Sequence, residues 1–302
     1  MKKPLKFDFT RALARGHVSY NAGVGQWWEN QAADGSHRAA YRHVAEYIRD
    51  QMRRLKTTSP LIVDYACGGG YVLVQLAKLM PQARLVGLDG STKMLALAQA
   101  RLEAQGVSCA VLPADEAFAA KGPQVRLMQT RLPNFNLPQG RADAVAFVFP
   151  NIAPGPADQP VYDRNGYRNR EDTAVAKMLA RFREMDPEDE VNREKPDVLF
   201  DGYMTERVLA RNIRGLLKPH GAWFKVDYAN ALRSELSELS QWRCLFAEGA
   251  LETPIKDKRA ELLFRMKDNV FRNSKVIMDV YHQTKDPSDK TGGYFITAFE
   301  GL

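Results

Sequence analysis

Leu61-Ile62-Val63-Asp64-Tyr65-Ala66-Cys67-Gly68-Gly69-Gly70-Tyr71 carries the reading of the whole chain. An apolar run of strand length breaks into three glycines, and Tyr71 to Met80 then reads as a helix stopped by Pro81. Glycine lets a backbone turn tightly and approach a ligand with no Cβ in the way. A helix starting behind such a turn offers free N–H groups and the positive end of its dipole to a negative group. Taken alone, the turn fits NAD, FAD or another ligand of that kind.

Outward from it, strands and helices alternate. Arg84 to Asp89 is a second strand, and Thr92 to Gln105 a helix closed by Gly106. Ala142 to Phe149 is apolar enough to be a strand buried on both faces. Thr205 to Leu217 reads as a helix ended by Lys218-Pro219-His220-Gly221, and Ala222 to Tyr228 as a strand. Lys275 to His282 and Tyr294 to Phe299 read as a closing hairpin. This order predicts an α/β fold with a mostly parallel sheet and one antiparallel strand. Ahead of it, Arg38 to Leu55 carries an i, i+4 apolar stripe. The expected division is a helical N-terminal lid over residues 1–57 and a second unit over 58–302. Pro154 to Pro196, charged and broken by prolines, reads as an insertion (about 154–200) after the Ala142 to Phe149 strand. Loops at the carboxyl ends of such strands line the ligand crevice.

Two details sharpen the glycine turn. Its pattern is D-x-A-x-G-x-G from Asp64 to Gly70, unlike the G-x-G-x-x-G of dinucleotide folds, and the second strand ends in an acid, Asp89. Here the chain resembles the class I S-adenosylmethionine (SAM)-dependent methyltransferases, with Asp64, Ala66, Gly68 and Gly70 on their first motif and Ala66 replacing its first glycine. The resemblance implies a Rossmann-like, mostly parallel seven-stranded sheet with one antiparallel strand, a helical N-terminal lid and an insertion after the fourth strand. It implies that Asp64 holds the amino group of the cofactor's methionine part. The backbone around Ala66, Cys67 and Gly68 would meet its carboxylate side, Asp89 the ribose, and Gly90, Ser91 and Met94 the adenine. Cys67 reads as a small residue packed under the turn. The adenine edge falls either to Asp115, after a strand over Ser108 to Ala114, or to Gln129 and Thr130, after one over Val125 to Gln129.

Methyl transfer needs an in-line approach to the sulfonium, and a base only where the nucleophile must lose a proton. Phe149 and Asn151 end the strand that opens on the site, in Phe147-Val148-Phe149-Pro150-Asn151. Aromatic faces stabilise a sulfonium by cation–π contact. Tyr20, Trp27 and Trp28 near the N-terminus, with Tyr162 and Tyr167 in the insertion, are the aromatic candidates. Tyr20, Asn151, Tyr162 and Tyr167 are therefore the candidate acceptor-facing residues, Tyr20 and Phe149 also lining the cofactor. His17 is a candidate base beside Tyr20, His37 and His43 read as solvent-facing or packing, and His220 as structural.

Composition bounds the rest. The 302 residues are 45% hydrophobic and 26% charged, which excludes disorder, collagen and coiled coil as whole-chain readings. The net charge of +7 suits an anionic substrate, but acids interleave with the basic run Lys256-Asp257-Lys258-Arg259, and no nucleic-acid-binding motif accompanies it or Arg164 to Arg170. Cys67, Cys109 and Cys244 have neither disulfide nor zinc spacing. No apolar run reaches the ~20 residues of a membrane span. The expectation is a cytoplasmic SAM-dependent transferase acting on a small-molecule acceptor, with no metal. The alternatives are a lyase or cyclase of the same fold that releases methylthioadenosine, like azetidine-2-carboxylate synthase, and an RNA methyltransferase.

Overall fold

The computed structural model describes residues 21, 23–33, 35–149, 152, 205, 208–228, 280–281 and 294–300. Among them, eight strands form one sheet: β1 (Leu61–Tyr65), β2 (Arg84–Asp89), β3 (Cys109–Val111), β4 (Val125–Gln129), β5 (Ala142–Val148), β6 (Leu217–Tyr228), β7 (Val280–Tyr281) and β8 (Tyr294–Glu300). Their spatial order is β3-β4-β2-β1-β5-β6-β8-β7. The six from β3 to β6 pair in parallel, and β8 runs antiparallel to both β6 and β7.

Among the described residues the sheet thus has one strand more than the expected seven. Both stretches competing for the third strand are strands: β4 lies beside β2, and β3 is added outside it at the sheet edge. The strand after the 208–216 helix begins at Leu217, earlier than Ala222, because Leu217 pairs with Ala142 and a register shift then absorbs the Pro-His-Gly turn before Ala144 meets Ala222. In the expected hairpin, only Val280–Tyr281 of the first strand lies within the described residues.

Alternation along each strand sends side chains to two layers. Leu61, Val63 and Tyr65 face a cluster with Phe118, Leu137, Leu209 and Ile213. Ile62 faces the other layer, where the Gly35–Arg54 helix buries Ala40, Val44, Ala45, Ile48 and Met52 among Leu73, Leu76 and Leu95 of the Tyr71–Leu79 and Thr92–Glu103 helices. The long N-terminal helix thus packs as part of the core layer. At the amino end of the sheet, Asp143 accepts the Leu61 N–H at 2.8 Å and pairs with Lys218 Nζ at 2.8 Å, which ties β1, β5 and β6. His220 is exposed there, as a structural turn residue should be.

The chain runs outward from β1 to β3 on one side and returns to β5 on the other, so β1 and β5 bracket the point where the strand order reverses. In an open α/β sheet ligands bind outside the carboxyl ends at that point.

Gly70 sits there at φ 78°, and a Cβ on it would lie 2.9 Å from Ala98 Cβ and 3.1 Å from Ala98 Cα in the neighbouring helix. A Cβ on Gly68, at φ 50°, would meet only Met94 Cε at 3.5 Å. Both alanine substitutions carry left-handed backbone strain of roughly 1–2 kcal/mol, but only Gly70→Ala also forces two helices apart, at roughly 1–3 kcal/mol more. Urea denaturation should place Gly70→Ala below Gly68→Ala in stability; equal midpoints would refute the close helix contact.

Candidate cofactor site at the carboxyl edge of the sheet

β1 delivers Asp64 and β2 delivers Asp89 to the same edge, one strand apart, with Asp64 paired in register to Gly87. Beyond β1 the backbone turns through Ala66 at φ 66°, Gly68 at 50° and Gly70 at 78°. Ala66 thus adopts the left-handed conformation of the glycine it replaces.

Asp89 holds this turn. Its Oδ2 accepts the Gly68 N–H at 2.9 Å, and its Oδ1 accepts the Ser91 N–H at 2.8 Å. Burial raises its pKa, and the backbone N–H groups of Ser91, Gly68 and Gly90 oppose that rise. The cap of the Thr92–Glu103 helix is Ser91, whose Oγ accepts the Met94 N–H at 3.2 Å. Asp89 is therefore a turn-holding carboxylate and not the helix cap.

Asp64 is the unbalanced group. It is 2% exposed, and its Oδ2 has no hydrogen-bond partner among the described residues. Burial, reinforced by the Asp89 charge, pushes its pKa up to about 8. A buried carboxylate in that position fits a cationic group brought by a ligand. Cys67 packs beneath the turn, donating its N–H to Leu88 O at 2.9 Å, and burial and the two acids push its thiol pKa well up. It has no thiolate character.

The adenine edge also acquires a geometry. Gln129 is the register partner of Asp89, its side-chain Nε2 donates to Gly90 O at 3.4 Å, and the Thr130 N–H donates to Asp89 O at 2.8 Å. Thr130 is buried, and its Oγ1 accepts from Asn134 Nδ2 at 2.8 Å. Asn134 is in turn tied through Asn212 to Tyr65. Asp115 is exposed in the short Ala114–Ala117 helix beyond the edge strand β3. Gln129 and Thr130 therefore stand beside the Asp89 turn.

Residues 62–116 match the family model described as a methyltransferase domain. The malonyl-[acyl-carrier protein] O-methyltransferase of Bacillus cereus is 38% identical over 56 residues, 18% of this chain and 21% of the relative. The match thus spans about a fifth of that relative's length. Two solved structures of magnesium protoporphyrin IX methyltransferase from Synechocystis are also similar. The one with bound S-adenosylhomocysteine is 15% identical, with TM-score 0.49, covering 97% of this chain and 99% of the other. The one with bound SAM is 14% identical, with TM-score 0.47, covering 99% and 100%.

The expected residues Asp64, Ala66, Cys67, Gly68, Gly70, Asp89, Gly90, Ser91 and Met94 gather at two adjacent turns, with Gln129 and Thr130 beside the second at the end of β4. Met94 lies against Gly68 from the second turn. Phe149 stands at the end of β5, at φ 47°. Tyr20, Asn151, Tyr162 and Tyr167 lie outside the described residues, as does His17.

An aromatic wall was missed in sequence. The ring of His37 meets Phe149 edge-on at 4.9 Å, Tyr41 lies 6.1 Å from Phe149, and Tyr41 stacks on Tyr71 at 5.2 Å. His37 is 2% exposed, so its expected packing role holds and its expected solvent-facing one does not. The Gly35–Arg54 helix runs toward the amino end of β1, which puts its first turns at the carboxyl edge. The signal was the Tyr41 i+4 spacing from His37, but nothing in the sequence says which strand end that face meets.

The Asp64 pKa sets a pH dependence. Its folded value of about 8 exceeds its ordinary 3.8, so the ligand-free folded state holds the proton more tightly, and stability is lost as pH rises from about 4 through about 8. Asp64→Asn removes that loss. Thermal melts of ligand-free protein should differ least below about pH 4, and the variant's advantage should widen by several degrees up to pH 8, at about 2–4 °C per kcal/mol for a domain of this size. A wild-type-to-variant gap that does not change with pH would overturn the assignment.

Proposed function

We propose that this chain is a SAM-dependent methyltransferase acting on a small-molecule acceptor. The observation that carries it is the buried Asp64 carboxylate oxygen, left without a donor beside the glycine turn and Asp89. When bound, SAM would supply an electrophilic methyl on a sulfonium. Asp64 takes the ammonium of its methionine part, a cationic hydrogen-bond donor that offsets a buried carboxylate. Each Asp89 oxygen has already accepted one backbone N–H, and a carboxylate oxygen has two lone-pair sites. Acceptor capacity thus remains on the carboxylate for ribose hydroxyls. Gly90, Ser91 and Met94 border the adenine, with Gln129 and Thr130 at its edge in place of Asp115.

The wall of Phe149, His37, Tyr41 and Tyr71 stands between the glycine turn and the end of β5, where the sulfonium and the acceptor would meet. Its aromatic faces favour the cation and exclude water. Tyr20, Asn151, Tyr162 and Tyr167 complete the acceptor pocket, with the N-terminal segment and the 154–200 insertion closing over it as lids. The absence of a binding motif around the basic runs supports a small molecule over RNA.

Calorimetry should give measurable SAM affinity in the wild type. Asp89→Ala should lower it by about 2 kcal/mol or more, roughly 30-fold, the scale of charge-assisted hydrogen bonds. Incubation with SAM and candidate acceptors, followed by mass spectrometry, should yield S-adenosylhomocysteine and a product heavier by one methylene. Methylthioadenosine as the only product would select the lyase or cyclase reading. Methylated transcript in place of small-molecule product would select RNA.

A further inference from the structure

The N-terminal segment touches both turns of the cofactor site. Glu29, in the Gly23–Ala32 helix, is 8% exposed, and its Oε2 lies 2.6 Å from Arg101 Nη2. Arg101, in the last turn of the Thr92–Glu103 helix, uses its other terminal nitrogen to donate to the Gly69 carbonyl. Its guanidinium lies over the Tyr71 ring, 3.7 Å from the centroid, and Nη2 donates to the Tyr71 hydroxyl at 3.0 Å. The Tyr71 hydroxyl also reaches Glu29 Oε2 at 3.5 Å. At the second turn, Asn21 Oδ1 accepts the Ser91 hydroxyl at 2.8 Å and the Lys93 N–H at 3.4 Å.

One planar cation therefore joins three elements: the N-terminal helix through Glu29, the glycine turn through Gly69, and the first residue of the following helix through Tyr71. Arginine is suited to this because its fork donates in two directions while its face stacks. The pair is largely out of solvent, with 24% and 9% side-chain exposure, so it escapes most of the screening that makes surface ion pairs weak. It is also conditional. Removing Arg101 leaves Glu29 a buried charge without its cation and Gly69 O without its donor, and removing the Glu29 charge frees the helix that carries it.

We propose that Glu29 and Arg101 form a positioning pair for the cofactor: by fastening the N-terminal helix to the Gly69 carbonyl, they hold the glycine turn in its ligand-accepting shape, so that helix docking and SAM affinity are coupled. This rests on the reading that the site binds SAM. Neither residue touches the cofactor in this proposal; both act through the turn.

The test combines calorimetric SAM titration with amide hydrogen exchange on the intact chain. Glu29→Gln, Arg101→Ala, the double variant and the exchanged pair (Glu29→Arg with Arg101→Glu) are compared with wild type. Each single variant should weaken SAM binding at least tenfold, and the double variant no more than the worse single, because the two residues act as one unit. The exchanged pair should recover part of the loss. In assays the cofactor KM should rise by more than kcat falls. Amides in residues 23–32 should exchange faster in each single variant without ligand. Unchanged affinity in a folded Glu29→Gln protein, or losses that add in the double variant, would overturn the coupling. If the wild type binds no SAM, the functional reading fails, and exchange alone then decides the pair: equal protection of 23–32 in wild type and Glu29→Gln overturns it.

Discussion

The Asp89 carboxylate takes a backbone N–H from each of two turns, Gly68 at 2.9 Å and Ser91 at 2.8 Å, and the carboxyl edge of the sheet depends on that double acceptance. It joins the ends of β1 and β2 beyond the reach of their ladder hydrogen bonds. It also puts a second negative charge near Asp64, which burial already makes costly. The same contact that organises the turn therefore sharpens the need for a positive ligand at Asp64. Local destabilisation of this kind is what a binding site costs a fold, and the ligand offsets it.

Close packing around the turn follows from where Cβ atoms are missing. Gly70 lets the Tyr71–Leu79 helix start against Ala98, and Gly87 leaves room in β2 for Leu73, Leu127 and the Cys67 sulfur. Ala66 is the exception, an alanine at φ 66° in a position that favours glycine. Strained backbone of this kind persists where the surroundings over-determine it. Here Cys67 is bonded to Leu88 and Gly68 to Asp89 on the residues just after it.

The helices ahead of the first strand are part of the site architecture as much as of the core. Gly35–Arg54 buries one face against the sheet layer and carries His37 and Tyr41 to the end of β5. Gly23–Ala32 reaches the glycine turn through Glu29. Aromatic packing does the first job and a largely buried ion pair the second, so the two helices depend differently on salt and on substitution.

The motif from Asp64 to Gly70, the acid closing β2 and the buried run of β5 were legible in sequence because each depends on a local property: strand period, glycine freedom, a continuous apolar stretch. The order of the strands was not legible. Cys109–Val111 and Val125–Gln129 both look like strands, and only pairing decides that the second lies beside β2 and carries Gln129 to Asp89. The start of β6 at Leu217 was hidden for the same reason, since a register shift against β5 overrides the Pro-His-Gly break. Glu29 and Arg101 are 72 residues apart, and His37 meets the Phe149 ring just past β5, more than a hundred residues later. Such contacts have no period and no fixed spacing. By itself the sequence determined which segments turn, cap and bury; the tertiary structure decided which charges and rings face one another, because that depends on how layers pack across long loops and not on neighbours along the chain.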